Sequence, residues 1–276
     1  MMTRIITAAV ALAVFIGVLA APPVVFPIAL AAVIFIMLYE CFSATKASKG
    51  MKATEYICAV LIMLSGVPFV LGYNFHTTAE LCALAAITII VINMAMVVFL
   101  HGKWSYKDVL ANAFLTMYIT ISTSLIMITK AYFGTAYMLL IFISAWSTDT
   151  FAYFTGKLIG KHKLIPHVSP NKTVEGSIGG IVGTMLVCVI YLMITNLITS
   201  TSIMWLPAGM IAGVVGGVTS QLGDLVMSAI KRDTGVKDFG KIFPGHGGFL
   251  DRFDSVIFVA PFMFGVLILV STFMEL

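Results

Sequence analysis

Residues 221–255 concentrate charged residues and glycines in a chain that has few charges elsewhere. These 35 residues contain five acidic residues, five basic residues, one histidine and six glycines, although only 10% of the whole chain is charged. The stretch starts in an apolar segment, continues through a polar loop and re-enters an apolar segment at about residue 253. This pattern predicts a metal-dependent phosphate site at a membrane surface.

Three polar side chains before the loop share one helix face. Asp224, Ser228 and Lys231 occupy positions i, i+4 and i+7, a spacing that places them on one side of a helix. At the depth of Asp224, an ionised carboxylate costs up to about 2.5–3.5 kcal/mol if it faces lipid. A wet cavity, a cation or a base would offset that cost. The alternatives for Asp224 are therefore a ligand site or an internal ion pair with Lys231 or Arg232.

The loop ends in the sequence Pro-Gly-His-Gly-Gly at residues 244–248. Glycines at this density let the backbone approach a ligand and point its amides at an anion. Gly247 and Gly248 are the candidates for such contacts, and the His246 side chain is able to donate to a phosphate oxygen. The loop is therefore predicted to bind phosphate.

Two acidic residues open the last apolar segment. Asp251 and Asp254 are three positions apart, so both face one side of the helix. The field of a helix N-terminus explains one such acid, but two acids beside Arg252 and the glycine loop favour a binding site. Mg²⁺ usually takes one or two carboxylates plus substrate phosphates, which makes Asp224 and Asp251 the predicted ligands. Bases able to neutralise phosphate charge are Lys231, Arg232, Lys237 and Lys241.

A second polar segment, residues 169–176, precedes another apolar segment. Its sequence, Ser-Pro-Asn-Lys-Thr-Val-Glu-Gly, is predicted to open a helix, whose first amides favour anions. Residues 156–161 are not a Walker A motif, because the glycines are one position too close and His162 replaces the required Ser or Thr. For Asp149, near the inner end of the preceding apolar segment, the sequence favours a place in the polar site over a capped, structural carboxylate.

The apolar segments are long enough to cross a membrane. Hydrophobic residues make up 60% of the 276 residues and the mean hydropathy is +1.07, whereas ordinary soluble domains are about 45–50% apolar. About 20 apolar residues suffice for a helix to cross the hydrocarbon core. We therefore predict an all-α, polytopic integral membrane protein with about nine spans: 5–21, 24–42, 54–73, 80–100, 108–129, 134–154, 174–198, 204–230 and 253–274.

The distribution of basic residues predicts the orientation. With the N-terminus in the cytoplasm, fifteen of the sixteen Lys and Arg residues lie on the inner side and Lys130 lies outside, as the positive-inside rule requires. Both polar segments then face the cytoplasm from the cell's inner (plasma) membrane. Arg4, the first apolar run and the small residues near Ala20 also fit a cleavable signal peptide; we favour a retained helix.

The chain is predicted to be a single integral domain, 1–276, with two functional halves. Residues 1–134 carry few charges and short loops, which indicates mainly structural, lipid-facing helices, whereas 135–276 is the predicted catalytic half. Glycines spaced three and four apart in the seventh and eighth segments predict close approach of helix backbones. Four acids of the first half lie near segment ends, where we expect them to reach interfacial water: Glu40, Glu55, Glu80 and Asp108.

Several other residue types do not indicate chemistry. The four cysteines are isolated and form no CxxC pair, so neither a zinc site nor a disulfide framework is indicated. The other four histidines lack metal-ligand spacing, and no GxSxG elbow supports covalent acyl chemistry. The inner loops account for the net charge of +4, so no nucleic-acid partner is predicted.

The polar segments together resemble the signature of the phosphatidate cytidylyltransferase family. The 27 positions of 228–254 contain Ser-Ala-Ile-Lys-Arg, then Lys237-Asp238, then Pro-Gly-His-Gly-Gly-Phe-Leu-Asp-Arg-Phe-Asp. Asp149-Thr-Phe-Ala-Tyr153 and residues 169–176 are similar to the family's two upstream motif stretches. The resemblance covers the C-terminal half, and the N-terminal helices are compatible with it.

The resemblance implies a nine-helix enzyme, also called CDP-diacylglycerol synthase, that is often dimeric. Such an enzyme condenses CTP with phosphatidic acid in the membrane, without a covalent intermediate, and releases pyrophosphate and CDP-diacylglycerol. It implies Mg²⁺ at Asp224 and Asp251, with a second cation such as K⁺ as an option. The residues expected in catalysis are Asp224, Asp251, Lys231, Arg232, Lys237 and His246. Those expected to bind or orient substrate are Asp149, Ser169, Lys172, Thr173, Glu175, Ser228, Asp238, Gly247, Gly248, Arg252 and Asp254.

Two other classes of function use similar residues. A secondary transporter for a phosphorylated anion also needs buried acids and glycine-broken helices, but its site usually lies at the midplane between inverted repeats. A CTP-dependent polyprenol kinase or a CDP-archaeol synthase acts on a related lipid. The products separate these enzymes, because a kinase leaves a lipid monophosphate and CDP, whereas a cytidylyltransferase leaves a CDP-lipid and pyrophosphate.

Overall fold

Nine helices and one β-hairpin make up the part of the chain that the computed structural model describes, residues 2–72, 74–99, 101–199, 204–243, 245 and 247–273. The helices are α1 (Met2–Ala20), α2 (Val25–Ala44), α3 (Lys49–Val70), α4 (Phe75–Phe99), α5 (Tyr106–Phe133), α6 (Thr135–Ile159), α7 (Val174–Thr199), α8 (Trp205–Thr234) and α9 (Leu250–Phe273). The antiparallel strands are β1 (Lys163–Ile165) and β2 (Ser169–Thr173).

The helices confirm the prediction of an all-α, multi-pass membrane protein. Within the described residues, seven are long and apolar enough to cross a membrane, namely α2–α5 and α7–α9, while α1 contributes the shorter apolar stretch Ile6–Ala20. Hydropathy predicted the order of the helices well and their ends less well. For example, α3 begins at Lys49, not at 54, because Ser48 caps it by accepting a hydrogen bond from Met51 N at 3.3 Å.

Internal contacts divide the chain into two units. The first unit comprises Met1–Ala131 and Val236–Arg252, and the second comprises Tyr132–Gly235 and Phe253–Leu276. The glycine loop, residues 236–249 between α8 and α9, therefore packs with the N-terminal helices. Hydropathy alone does not reveal this grouping.

Two acids of the first unit are buried rather than at interfacial water. Glu40 in α2 is 2% exposed and Glu55 in α3 is 1% exposed, which corrects the expectation for both. Glu55 lies near the Thr116 side chain of α5, and Glu40 contacts the glycine loop. Hydropathy places an acid along a segment but does not indicate a polar partner on another element. Glu80 and Asp108 are exposed, as expected.

In the second unit, α7 packs against both α6 and α8 through the predicted glycines. A Cβ added at Gly180 of α7 would lie 3.1 Å from Ala152 Cβ of α6. A Cβ added at Gly209 of α8 would lie 2.6 Å from Val189 Cα of α7, closer than two such atoms can approach. The prediction that small residues bring these backbones together is confirmed, and the packing fixes the helices that carry the polar side chains.

Candidate active site

Asp224 forms an ion pair with a base from the hairpin. Its Oδ2 contacts Nζ of Lys172, which lies in β2. Ser228, one turn further along α8, donates its hydroxyl to Asp224 Oδ1 at 3.4 Å. The Lys172 and Asp224 side chains are 24% and 29% exposed, so the pair is accessible to a polar ligand. The sequence analysis left open a ligand site or an ion pair with Lys231 or Arg232 for Asp224, and it did not relate Asp224 to Lys172, because spacing relates only residues of one helix.

Two more carboxylates interact electrostatically at this site, and of the two it is Asp254 that acts on Asp224 directly. Asp254 of α9 is 8% exposed, and its carboxyl group interacts electrostatically with Asp224, with Asp149 of α6 and with the Lys231 ammonium. Like charges repel strongly where water is scarce, so nearby cations are needed to offset the repulsion. We call Asp149, Lys172, Asp224, Lys231 and Asp254 the acid–base cluster. It combines side chains from α6, β2, α8 and α9 of the second unit.

Glu175 holds the segment before β1 against α7. Its carboxylate, in the first turn of α7, accepts hydrogen bonds from Lys161 N at 3.0 Å and from His162 N at 3.2 Å. Its Oε1 also lies 2.6 Å from His162 Nδ1. Glu175 therefore fixes the backbone where the hairpin begins, and through the hairpin it helps to place Lys172.

The hairpin itself differs from the sequence prediction. Ser169–Thr173 forms β2 instead of opening the helix, with Ser169 paired to Ile165 of β1. Thr173 accepts a hydrogen bond from Gly176 N at 3.1 Å through its hydroxyl, which is the usual capping contact at the start of a helix. The strands are short, and their side chains do not alternate clearly between apolar and polar, so no strand period is visible in the sequence.

Replacement of Glu175 by alanine is expected to lower kcat/KM about tenfold, because a shift of about 1 Å in a positioned group can cost up to about 100-fold. The loss should come through displacement of the hairpin and Lys172. The measurement is the steady-state rate, with the purified protein, of the reaction that the family resemblance implies. Glu80→Ala is the matched control, because Glu80 forms an exposed pair with His76 one turn away in α4. Equal rates for the two variants would contradict this role.

Asp251 organises the glycine loop in the first unit. It is 6% exposed, and its Oδ2 accepts hydrogen bonds from Phe239 N at 2.8 Å and from Gly248 N at 3.0 Å. These bonds join the two ends of the loop at the start of α9. An ionised carboxylate offers about four acceptor positions, so these two bonds are compatible with a further ligand on the same group.

Gly247 lies beside two carboxylates of the loop. Its φ of 84° falls in the left-handed region, which glycine adopts without strain, and its carbonyl accepts from Phe243 N at 2.9 Å. A Cβ at this position would lie 3.0 Å from Asp251 Oδ2 and 3.4 Å from Asp238 Oδ1. The loop thus brings Asp238 and Asp251 to one glycine. His246, expected to hold a phosphate, lies outside the described residues.

The remaining predicted bases are exposed. Arg232 lies in the last turn of α8, Lys237 lies in the loop that follows, and Arg252 lies in the first turn of α9. Solvated guanidinium and ammonium groups are able to turn toward an incoming phosphate and form charge-assisted hydrogen bonds. Their placement is compatible with the predicted role.

The carboxylates present are chemically suited to Mg²⁺. Asp224 and Asp251 offer hard oxygen ligands, and Mg²⁺ typically needs only one or two carboxylates because it keeps several waters and binds substrate phosphates. Within the described part of the chain, no group of three or more His, Cys, Asp or Glu side chains is arranged to hold a metal ion. Asp251 belongs to the first unit and Asp224 to the second. That both acids bind the same ion stays a prediction.

Glu40 contacts the glycine loop, and the sequence analysis did not predict this contact. Its two carboxylate oxygens accept hydrogen bonds from Phe249 N at 3.1 Å and Leu250 N at 2.8 Å. The only signal in the sequence is the acid itself, because a carboxylate within an apolar segment requires a polar partner. The partner is 209 positions away, so local spacing gives no indication of it.

Known proteins resemble this chain over most of its length. A family model described as the cytidylyltransferase family matches residues 2–270. A phosphatidate cytidylyltransferase of Staphylococcus saprophyticus is 35% identical over 263 residues, which cover 95% of this chain and 97% of the relative. One from Staphylococcus aureus (strain COL) has the same identity and coverage. Another, from Bacillus subtilis (strain 168), is 48% identical over 139 residues, half of each chain.

Proposed function

Because this chain belongs to the cytidylyltransferase family and is a nucleotidyltransferase, we propose that it transfers the cytidylyl group of CTP to phosphatidic acid. The products are CDP-diacylglycerol and pyrophosphate. The observation that carries the proposal is the family match over residues 2–270, with phosphatidate cytidylyltransferases 35% identical over 95% of the chain. The described helices supply the membrane setting in which a lipid substrate is found.

The proposed reaction needs positioning more than a strong base. A phosphate oxygen of phosphatidic acid is already anionic and forms the new bond to the α-phosphorus of CTP. The bond from that phosphorus to the oxygen bridging to the β-phosphate breaks, and its electron pair leaves with pyrophosphate. Because two anions must approach each other, catalysis rests on charge neutralisation and in-line alignment.

The acid–base cluster supports such a role. Lys172 is held by Asp224, so its ammonium group is oriented before any phosphate binds, and the Lys231 ammonium interacts electrostatically with Asp254. Phosphate oxygens then compete with the carboxylates for these ammonium groups. Arg232 and Lys237 are proposed to neutralise the remaining phosphate charge, and His246 is proposed to donate a hydrogen bond to a phosphate oxygen.

Asp224 and Asp251 are the proposed ligands of Mg²⁺, with K⁺ as an option for a second ion. When bound, Mg²⁺ would neutralise phosphate charge and polarise the phosphoryl oxygens as a Lewis acid. Asp251 meanwhile keeps the loop closed through Phe239 N and Gly248 N. The other assigned residues are proposed to shape the pocket, namely Asp149, Ser169, Thr173, Glu175, Ser228, Asp238, Gly247, Gly248, Arg252 and Asp254.

The proposed site faces the cytoplasm from the inner (plasma) membrane. The positive-inside rule supports this orientation, because fifteen of sixteen bases then lie on one side. CTP is made on that side, and the lipid enters laterally from the bilayer. Association of two copies belongs to the same proposal and is tested by the mass of the detergent-solubilised protein.

Labelled CTP tests the proposed reaction against its closest alternative. Purified protein is incubated with phosphatidic acid, Mg²⁺ and CTP that carries the label in either the α- or the γ-phosphate. We expect the α-label to appear in the lipid and the γ-label in pyrophosphate. Transfer of the γ-label to a lipid would instead identify a kinase. Movement of a phosphorylated anion across vesicles without CTP consumption would identify a transporter.

A further inference from the structure

Glu40 is a buried carboxylate to which the proposed reaction gives no role. It lies in the last turns of α2 (Val25–Ala44) and is 2% exposed. Burying a carboxylate is costly unless it is paired or hydrogen-bonded, so its contacts indicate what it does. Glu40 and the glycine loop belong to the same unit, the first.

Both oxygens of Glu40 accept hydrogen bonds where α9 begins. Phe249 N donates to Oε1 at 3.1 Å and Leu250 N donates to Oε2 at 2.8 Å. Leu250 is the first residue of α9, and the first amides of a helix have no acceptor within that helix. Glu40 supplies this acceptor, and its negative charge suits the positive end of the helix dipole.

Two glycines of the loop enclose the Glu40 side chain. A Cβ at Gly240 would lie 2.9 Å from Glu40 Cγ, and a Cβ at Gly248 would lie 2.5 Å from Glu40 Cδ. These distances are shorter than non-bonded carbon atoms tolerate, so a larger residue at either position would displace Glu40 or the loop. The loop is therefore fitted to this carboxylate on two sides.

Glu40 and Asp251 bind neighbouring amides of the same loop. Asp251 Oδ2 holds Phe239 N and Gly248 N, while Glu40 holds the next two amides along the chain. Asp251 directly follows Leu250, so fixing the Leu250 amide also fixes the backbone from which the Asp251 side chain projects. The two carboxylates repel each other electrostatically, and their amide partners keep both in place.

We propose that Glu40 is a positioning residue that holds Asp251 and the glycine loop in the geometry needed for cytidylyl transfer. Its effect on turnover rests on the proposed function, whereas its effect on the loop does not. A residue of the N-terminal helices is thereby part of the machinery, although the family signature lies entirely in the C-terminal half.

The test compares Glu40→Gln with Glu55→Gln, because Glu55 is another buried glutamate of the same unit, 1% exposed, and makes no contact with the glycine loop in the described residues. Glutamine keeps the length of Glu40 but places an NH₂ group opposite a backbone N–H. We expect hydrogen exchange in residues 239–250 to accelerate at least about tenfold in Glu40→Gln, because capping bonds to a charged group are lost. We also expect kcat to fall about 10- to 100-fold, with little change in KM for CTP.

Glu55→Gln should change neither the rate of hydrogen exchange in the loop nor the Mg²⁺ concentration that gives half the maximal rate. Glu40→Gln should raise the exchange rate and also that Mg²⁺ concentration. If Glu40 only stabilises the fold, Glu40→Gln lowers the thermal stability and leaves the Mg²⁺ dependence of the rate as in the wild type. That result would overturn the proposal. Wild-type exchange and wild-type kcat in Glu40→Gln would overturn the proposal. If the wild type does not use CTP and phosphatidic acid, the proposed function fails, and loop exchange still decides whether Glu40 holds the loop.

A second route covers the case in which Glu40→Gln does not fold. Gly240→Ala places a methyl group against Glu40 from the loop side, and Glu40→Asp shortens the acid by one methylene. We expect Gly240→Ala to accelerate loop exchange, and the double variant Glu40→Asp/Gly240→Ala to lose less kcat than the sum of the single effects, since contacting residues couple. Strict additivity would contradict the proposed contact.

Discussion

Replacement of Asp251 by asparagine is expected to lower the rate of CDP-diacylglycerol formation at least about 100-fold, a loss typical of removing one key electrostatic group. Asparagine retains one acceptor oxygen, so the bonds from Phe239 N and Gly248 N can persist while the negative charge is lost. The variant therefore separates the charge of Asp251 from its role in holding the loop. The measurement is the initial rate of α-label transfer from CTP to lipid.

Asp233→Asn is the matched control for Asp251→Asn. Asp233 is an exposed acid in the last turn of α8, so its variant should remain within about twofold of the wild type, as for most surface changes. Wild-type turnover in Asp251→Asn would remove Asp251 from the proposed metal site and leave it only the loop contacts.

Replacement of Asp224 by asparagine is expected to cost about 10²- to 10³-fold in kcat. Two losses combine, because Asp224 is both the partner of Lys172 and a proposed Mg²⁺ ligand. Lys172→Met removes the ion pair without touching the proposed metal ligand, and we expect it to cost less. The measurement is kcat as a function of Mg²⁺ concentration for both single variants and for the double variant.

The double variant decides which role of Asp224 dominates. If Asp224 binds Mg²⁺, Asp224→Asn/Lys172→Met remains as slow as Asp224→Asn and needs more Mg²⁺ than Lys172→Met. If Asp224 serves only to hold Lys172, the double variant matches Lys172→Met in both rate and Mg²⁺ dependence. The second result would contradict the metal assignment.

Hydropathy predicts the helices of this protein because a membrane span needs a long apolar run, and such a run is visible in one sequence. The hairpin at Lys163–Thr173 was missed because its two short strands lie in a polar segment and show no clear alternation. The burial of Glu40 and Glu55 was missed for a related reason. Their partners lie on other elements, and hydropathy carries no information about them.

The candidate site divides in the same way between local and long-range features. Helical spacing relates Asp224 to Ser228, and the structure records their hydrogen bond. The ion pair of Asp224 with Lys172 and the contact of Glu40 with Leu250 join distant parts of the chain. They depend on how helices pack, so no spacing rule within a single sequence predicts them.

One divalent ion bound by both Asp224 and Asp251 is the core of the proposed site. Mn²⁺ is a paramagnetic substitute for Mg²⁺, and its binding to the purified protein with a non-hydrolysable CTP analogue is measurable by electron paramagnetic resonance. We expect Asp224→Asn and Asp251→Asn each to weaken the binding of the same Mn²⁺ ion, and the double variant to bind that ion more weakly than either single variant. Unchanged Mn²⁺ affinity in either single variant would contradict a shared ion.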